Sequence, residues 1–145
     1  MKRVIVALIL LVGASLLAHM HIVTQSYHPV TRVSSPEGLV FTAVQTATRE
    51  RQECGVANER FLTPVKNLCT QCKVMVARCE RELEPFERAV FQDKALGHYL
   101  VSAQGLHLAI EGPNEAARAS CELMAGTLKK MGVASAACLF PVAGG

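Results

Sequence analysis

The sequence predicts an α+β domain, two helices packed on a small and mainly antiparallel sheet, behind an apolar N-terminal segment. Three observations carry this expectation. Apolar and polar residues alternate over 39–48 and again over 98–110, the period of half-buried strands. Apolar residues recur every three to four positions over 63–84 and 114–131, the period of amphipathic helices. An uncharged run follows Lys2-Arg3 at the start.

That first run, Val4 to Ala18, contains no charge and only Ser15 as a strongly polar side chain. Extended through His19, Met20, His21, Ile22 and Val23 it spans about 30 Å as a helix, the thickness of a bilayer core. The alternative is a cleaved signal peptide. Ala18 has the large Leu16 two positions before it, whereas Ser15 has Gly13, so the small-x-small rule favours only an early cut. Residues 1–23 are therefore expected to be a membrane anchor, with a signal segment as the alternative. Lys2 and Arg3 favour a cytoplasmic amino terminus. The expected location is the inner membrane of a bacterium, single-pass with the C-terminal domain in the periplasm, or a periplasmic or secreted form after cleavage.

Residues 24–38 carry Pro29, Pro36, Gly38 and several Ser and Thr, and are expected to be a linker with a turn at Ser35-Pro36-Glu37-Gly38. The domain proper is expected over 39–145. Leu39, Phe41 and Ala43 oppose Val40, Thr42 and Val44, predicting a strand over 39–48. Thr63-Pro64 has the chemistry of a helix start. From it Val65, Leu68, Cys69, Cys72, Val76, Cys79 and Leu83 follow at helical spacing, until Pro85 stops the helix. A short helical turn through Phe86, Ala89 and Val90 comes next.

A hairpin is predicted over 98–110, turning at Gln104-Gly105. Asn114 suits an N-cap, and the following helix should bury Ala117, Cys121, Met124, Leu128 and Met131, with Gly132 ending it. Val133–Phe140 would close a four-stranded, ferredoxin-like arrangement.

Locally, Glu111-Gly112-Pro113, Glu115-Ala116, Leu128 and Gly132 resemble the second half of SPOR domains. The resemblance covers about 35 residues, Leu106–Phe140, and implies contact with envelope peptidoglycan. The first half departs from that pattern, since it lacks the family's glycine-aromatic turn and is interrupted by cysteines.

Cys54, Cys69, Cys72, Cys79, Cys121 and Cys138 form an even set in a small, apparently exported domain, which favours structural disulfides. On one helix, Cys72 and Cys79 would stand about 10.5 Å apart and Cys69 and Cys79 about 15 Å, beyond disulfide reach. Two patterns survive. The three helix cysteines bond outward to Cys54, Cys121 and Cys138, or Cys69–Cys72 closes locally and Cys79 takes one of the others. The outward pattern is favoured, because it matches the buried stripe. Local closure would leave a Cys-x-x-Cys pair with redox potential.

Apart from Lys2 and Arg3, 13 basic residues face 12 acidic ones, interspersed in sign, and the chain has no Trp. Nothing makes a phosphate-tracking stripe, so no nucleic acid is expected as partner. No nucleophile elbow, phosphate loop or His-Glu metal motif is present. His98 and Glu111 could meet across a sheet edge, and His98 or His107 could ligate. Isolated residues of this kind arise cheaply in strands, so no catalytic, cofactor-binding or metal residues are assigned and no cofactor is expected.

A non-catalytic adaptor contacting another envelope protein fits the construction best, with contact loops at Gln104 and Asn114. The alternative is a module for peptidoglycan or surface polysaccharide, and a thiol–disulfide redox protein is a third reading.

Overall fold

A computed structural model describes residues 26–94 and 97–142. The anchor or signal expected at 1–23 lies outside the described residues. Among those described, no helix is long and apolar enough to cross a membrane.

Strand β1 (His28–Ser34) and β2 (Val40–Gln45) form an antiparallel hairpin. Its turn is the expected one. Ser35 N–H donates to the Leu39 carbonyl (2.8 Å), the Ser35 hydroxyl accepts the Leu39 N–H (3.3 Å), and Gly38 takes φ +83°. Helix α1 (Arg51–Leu68) follows, and β3 (Lys73–Glu80) returns to pair antiparallel with β1. The short helix α2 (Pro85–Phe91) then leads to a second hairpin, β4 (Tyr99–Ala103) and β5 (Leu106–Glu111). Helix α3 (Asn114–Lys130) and strand β6 (Ala137–Leu139) complete the chain, with β6 antiparallel to β4.

The sheet order is β3-β1-β2-β5-β4-β6. It contains the same ββαβ unit twice: a hairpin, a helix, and a third strand that returns to the hairpin's first strand. The two units meet at the antiparallel β2–β5 seam, where Ala43 opposes Leu108.

Alternation then sorts the sheet's side chains. On one face Ala43, Val101, Leu108 and Ile110 pack with Ala117 and Cys121 of α3 and Phe61 of α1. On the other, Val30, Val44, Leu100 and Ala109 pack beneath Val90, Phe86 and Phe91 of α2. The central strands are covered on both sides.

The α+β class and the antiparallel sheet stand, but the finer expectations need correction. Among the described residues there are six strands rather than four and three helices rather than two, and the strand order is not ferredoxin-like. Residues 28–34 are a central strand, not part of a 24–38 linker. Pro29 is tolerated because it is the second residue of β1 and precedes Val30, where pairing with β2 starts.

Thr63-Pro64 lies inside α1 rather than at its start. The Thr63 hydroxyl bonds back to the Glu59 carbonyl (2.8 Å), and the helix began a dozen residues earlier along a buried stripe of Cys54, Asn58 and Leu62. It ends at Leu68, so Cys69, Cys72 and Cys79 do not share a helix. In α3 the first turn starts after Pro113, and the Asn114 side chain accepts from the Tyr99 hydroxyl (2.9 Å) instead of capping. Met131, expected in the buried stripe, is 75% exposed. The last strand is shorter than expected, because hydrogen-bonded turns occupy Gly132–Ala136.

Candidate functional site

The six cysteines form three bridges, Cys54–Cys79, Cys69–Cys72 and Cys121–Cys138. The favoured outward pattern is thus corrected, and the local-closure pattern is the one adopted. The physical reason is the end of α1: a chain that leaves the helix at Cys69 and turns through Thr70-Gln71 returns Cys72 to within 5.3 Å of Cys69, Cα to Cα.

The bridges differ in what they tie together. Cys54–Cys79 links α1 to β3, and Cys121–Cys138 links α3 to β6, so each unit has one helix-to-third-strand staple in an equivalent place. Their helical cysteines are fully buried. Closing 25 and 17 residues, they restrict the unfolded chain by about 3.5 and about 3 kcal/mol in the loop-entropy description. Cys69–Cys72 spans a separation of 3 and is worth only about 1.5 kcal/mol on the same scale. Neither of its cysteines is fully buried.

This small bridge borders an apolar crevice of about 190 Å³. Phe61, Val65 and Leu68 of α1 form one wall and Met124 of α3 the other. Val33, Phe41 and Leu108 lie beneath on the sheet, and Cys69 and Cys72 close one end. Its walls expose no polar surface. Leu68, on its rim, is 89% exposed.

The crevice follows from the fold. Helices α1 and α3 belong to different units and lie on the same sheet face. The seam strands β2 and β5 run beneath the gap between them.

A second concavity is larger and of mixed polarity, lined by Gln45, Thr48, Glu50, Gln52, Glu53, Val56, Ala57 and Arg60. No aromatic ring lines it.

The other residues singled out from the sequence do not converge. Glu111 pairs with Arg32 (3.0 Å), while His98 sits edge-on to Phe86 (5.4 Å between centroids), so the two do not meet. His107 bonds through Nδ1 to Asp93 (2.8 Å), whose other oxygen accepts from the Ser102 hydroxyl (2.9 Å). Here the carboxylate lies between the serine and the histidine, so the imidazole cannot take the serine proton as a base would. The trio instead fastens the end of α2 to the second hairpin. Among the described residues, no group of three or more His, Cys, Asp or Glu could hold a metal ion. Gln104 and Asn114 flank opposite ends of β5.

Sequence reasoning missed the crevice. Its signal was the apolar surplus of Phe61, Val65 and Leu68 near the end of a helix whose buried stripe lies at Cys54, Asn58 and Leu62. The chain matches no protein family, curated protein or solved structure with which it was compared.

Proposed function

We propose that this chain is an accessory or adaptor protein of a bacterial envelope, anchored through residues 4–23, whose extracytoplasmic domain holds an apolar segment of another envelope protein in the α1/α3 crevice. The observation that carries the reading is the crevice itself, wholly apolar and rimmed by the exposed Leu68. Wholly apolar concavities with an exposed leucine at the rim suit side chains of a partner polypeptide better than a sugar, which needs polar groups and a stacking ring.

Position supports the same choice. The N-terminal segment enters the sheet at Tyr27-His28, whereas Val33, at the floor of the crevice, lies at the far end of β1, about 20 Å along an extended strand. An anchor preceding Tyr27 would thus join β1 at the end remote from the crevice floor.

The test uses the full-length, detergent-solubilised chain and a synthetic peptide rich in Leu and Phe, followed by anisotropy. Saturable binding that drops at least tenfold in Leu68→Glu is expected. Binding of peptidoglycan fragments that Leu68→Glu leaves unchanged, with no peptide binding, would replace this reading with the glycan one. A reporter fused after Gly145 should be active only outside the cytoplasm, and cytoplasmic activity would remove the envelope assignment.

A further inference from the structure

We infer that the Cys69–Cys72 bridge is a reactive disulfide that exchanges with a dithiol carried by the apolar polypeptide segment held in the crevice. The inference rests on the contact reading of that crevice and adds a reaction to it.

The internal repeat supplies the comparison that makes this bridge stand out. Both units tie their helix to their third strand with a disulfide, and both return from helix to strand through a short turn. In the second unit that turn, between Lys130 and Ala137, is held by backbone hydrogen bonds and Gly132 alone. In the first it carries Cys69–Cys72 in addition. The fold therefore makes this connection without a disulfide, and the extra bridge is the one that constrains the chain least.

Its surroundings are those of a reaction site. Both cysteines line the crevice beside Phe61, Val65 and Leu68, so the disulfide faces the same space that an apolar segment would fill. Neither cysteine of this bridge is fully buried, whereas each of the other two bridges has one cysteine sealed in the core, Cys54 and Cys121, and one half-buried, Cys79 and Cys138.

Direction follows from the end of α1. Cys69 is the C-cap, beside helix carbonyls that disfavour negative charge, whereas Cys72 lies beyond the helix and is followed by Lys73. A thiolate of the bound segment attacks the Cys69 sulfur. A new S–S bond forms to Cys69 as the Cys69–Cys72 bond breaks, and Cys72 departs as thiolate. The segment's second thiolate then attacks its own sulfur of the mixed disulfide and releases Cys69. Two electrons pass from the segment to this pair, leaving the segment oxidised and Cys69 and Cys72 as thiols. Exchange is stoichiometric, one disulfide per chain.

The test uses the oxidised full-length chain with two synthetic peptides. Each bears two cysteines, flanked in one by Leu and Phe and in the other by Ser and Glu. Alkylation and mass spectrometry follow the sulfurs. The apolar dithiol should be oxidised at least tenfold faster than the polar one. Leu68→Glu should remove that advantage, so that both peptides are oxidised at the same rate. A single-cysteine version of the apolar peptide should be found on Cys69, with Cys72 alkylated. If the apolar peptide binds but stays reduced, exchange is overturned and the contact reading stands. Equal oxidation of both peptides, insensitive to Leu68→Glu, would overturn the inference and the contact reading together.

Discussion

Cys54 and Cys121 occupy corresponding helices of the two ββαβ units, and each is bonded to the third strand of its own unit. Residues so placed should behave as a matched pair, with Cys69–Cys72 as the odd one out. Replacing Cys121 and Cys138 together by Ala should lower unfolding free energy by about 3 kcal/mol, and the Cys54/Cys79 pair by about 3.5 kcal/mol. The Cys69/Cys72 pair should cost about 1.5 kcal/mol. Urea unfolding followed by circular dichroism measures all three. Non-reducing peptide mapping of the native protein should recover these bridges and no outward links from Cys69 or Cys72.

Thr31 presents a different case. It is fully buried on β1, and its hydroxyl oxygen has no hydrogen-bond partner among the described residues. Thr31→Val keeps the shape and removes the unsatisfied group, so it should stabilise the domain by about 1 kcal/mol. Thr31→Ala, which leaves a gap as well, should not. A fall in melting temperature for Thr31→Val would show that the hydroxyl has a partner.

Glu87 is the counterpart whose partners are present. Only 5% exposed, it receives the Arg78 guanidinium and accepts the Glu84 N–H at the start of α2 (3.1 Å). Arg78 also pairs with Glu80 and Glu84. Glu87→Ala should destabilise by about 2 kcal/mol, because a charge-assisted bond and a helix-start bond disappear together. Glu84→Ala also loses an Arg78 pair and its half of the capping box, but the Glu84 side chain is 68% exposed and screened by water, so it should cost less. Paired chemical denaturation of the two variants decides it, and equal losses would contradict the assignment.

At the first hairpin, the Ser35 hydroxyl and then the backbone hold the Glu37 carboxyl below its ordinary value of 4.5. A carboxylate with a depressed native value stabilises the fold at pH above the unfolded value and loses that contribution as pH falls through the native one. Ser35→Ala should therefore move the Glu37 titration upward and flatten the pH dependence just below 4.5. Carbon-detected NMR of the side-chain carboxyl reads the shift directly. An unchanged titration would remove Ser35 as the cause.

The second half of the domain was largely legible in the sequence. Alternation at Tyr99, Val101 and Ala103, then Leu106, Leu108 and Ile110, with Gly105 between, fixes the hairpin because one sheet face is buried. The stripe from Ala117 through Cys121 to Leu128 likewise fixes α3. The first half misled for identifiable reasons. Pro29 disguised β1, although Val30, Thr31 and Val33 are strand formers. The buried stripe of α1 passes through Asn58, whose amide donates to the Arg78 carbonyl (2.9 Å), so polarity hid a core position. In Lys73–Glu80 an edge strand with no fully buried side chain kept no clean alternation, and Val76 and Cys79 coincided with a helical spacing. The cysteines allowed the local pattern, but choosing it required knowing that α1 ends at Leu68. The surplus of Phe61, Val65 and Leu68 on α1 marks one wall of the crevice, but the opposite wall comes from α3, brought beside it only by the β2–β5 seam.

None of the three bridges crosses that seam. The earliest half of the chain can thus complete both of its disulfides before any residue of the later half is available, and the later half needs only Cys121 to find Cys138. Of the 15 ways to pair six thiols, a chain that emerges amino end first and oxidises as it goes meets Cys54, Cys69, Cys72 and Cys79 alone, with three pairings open to them. The final docking of Val40–Gln45 against Leu106–Glu111 joins segments far apart in sequence and closes the longest loop in the sheet. It is left to backbone pairing and apolar contact, which can be undone and retried where a misplaced disulfide could not.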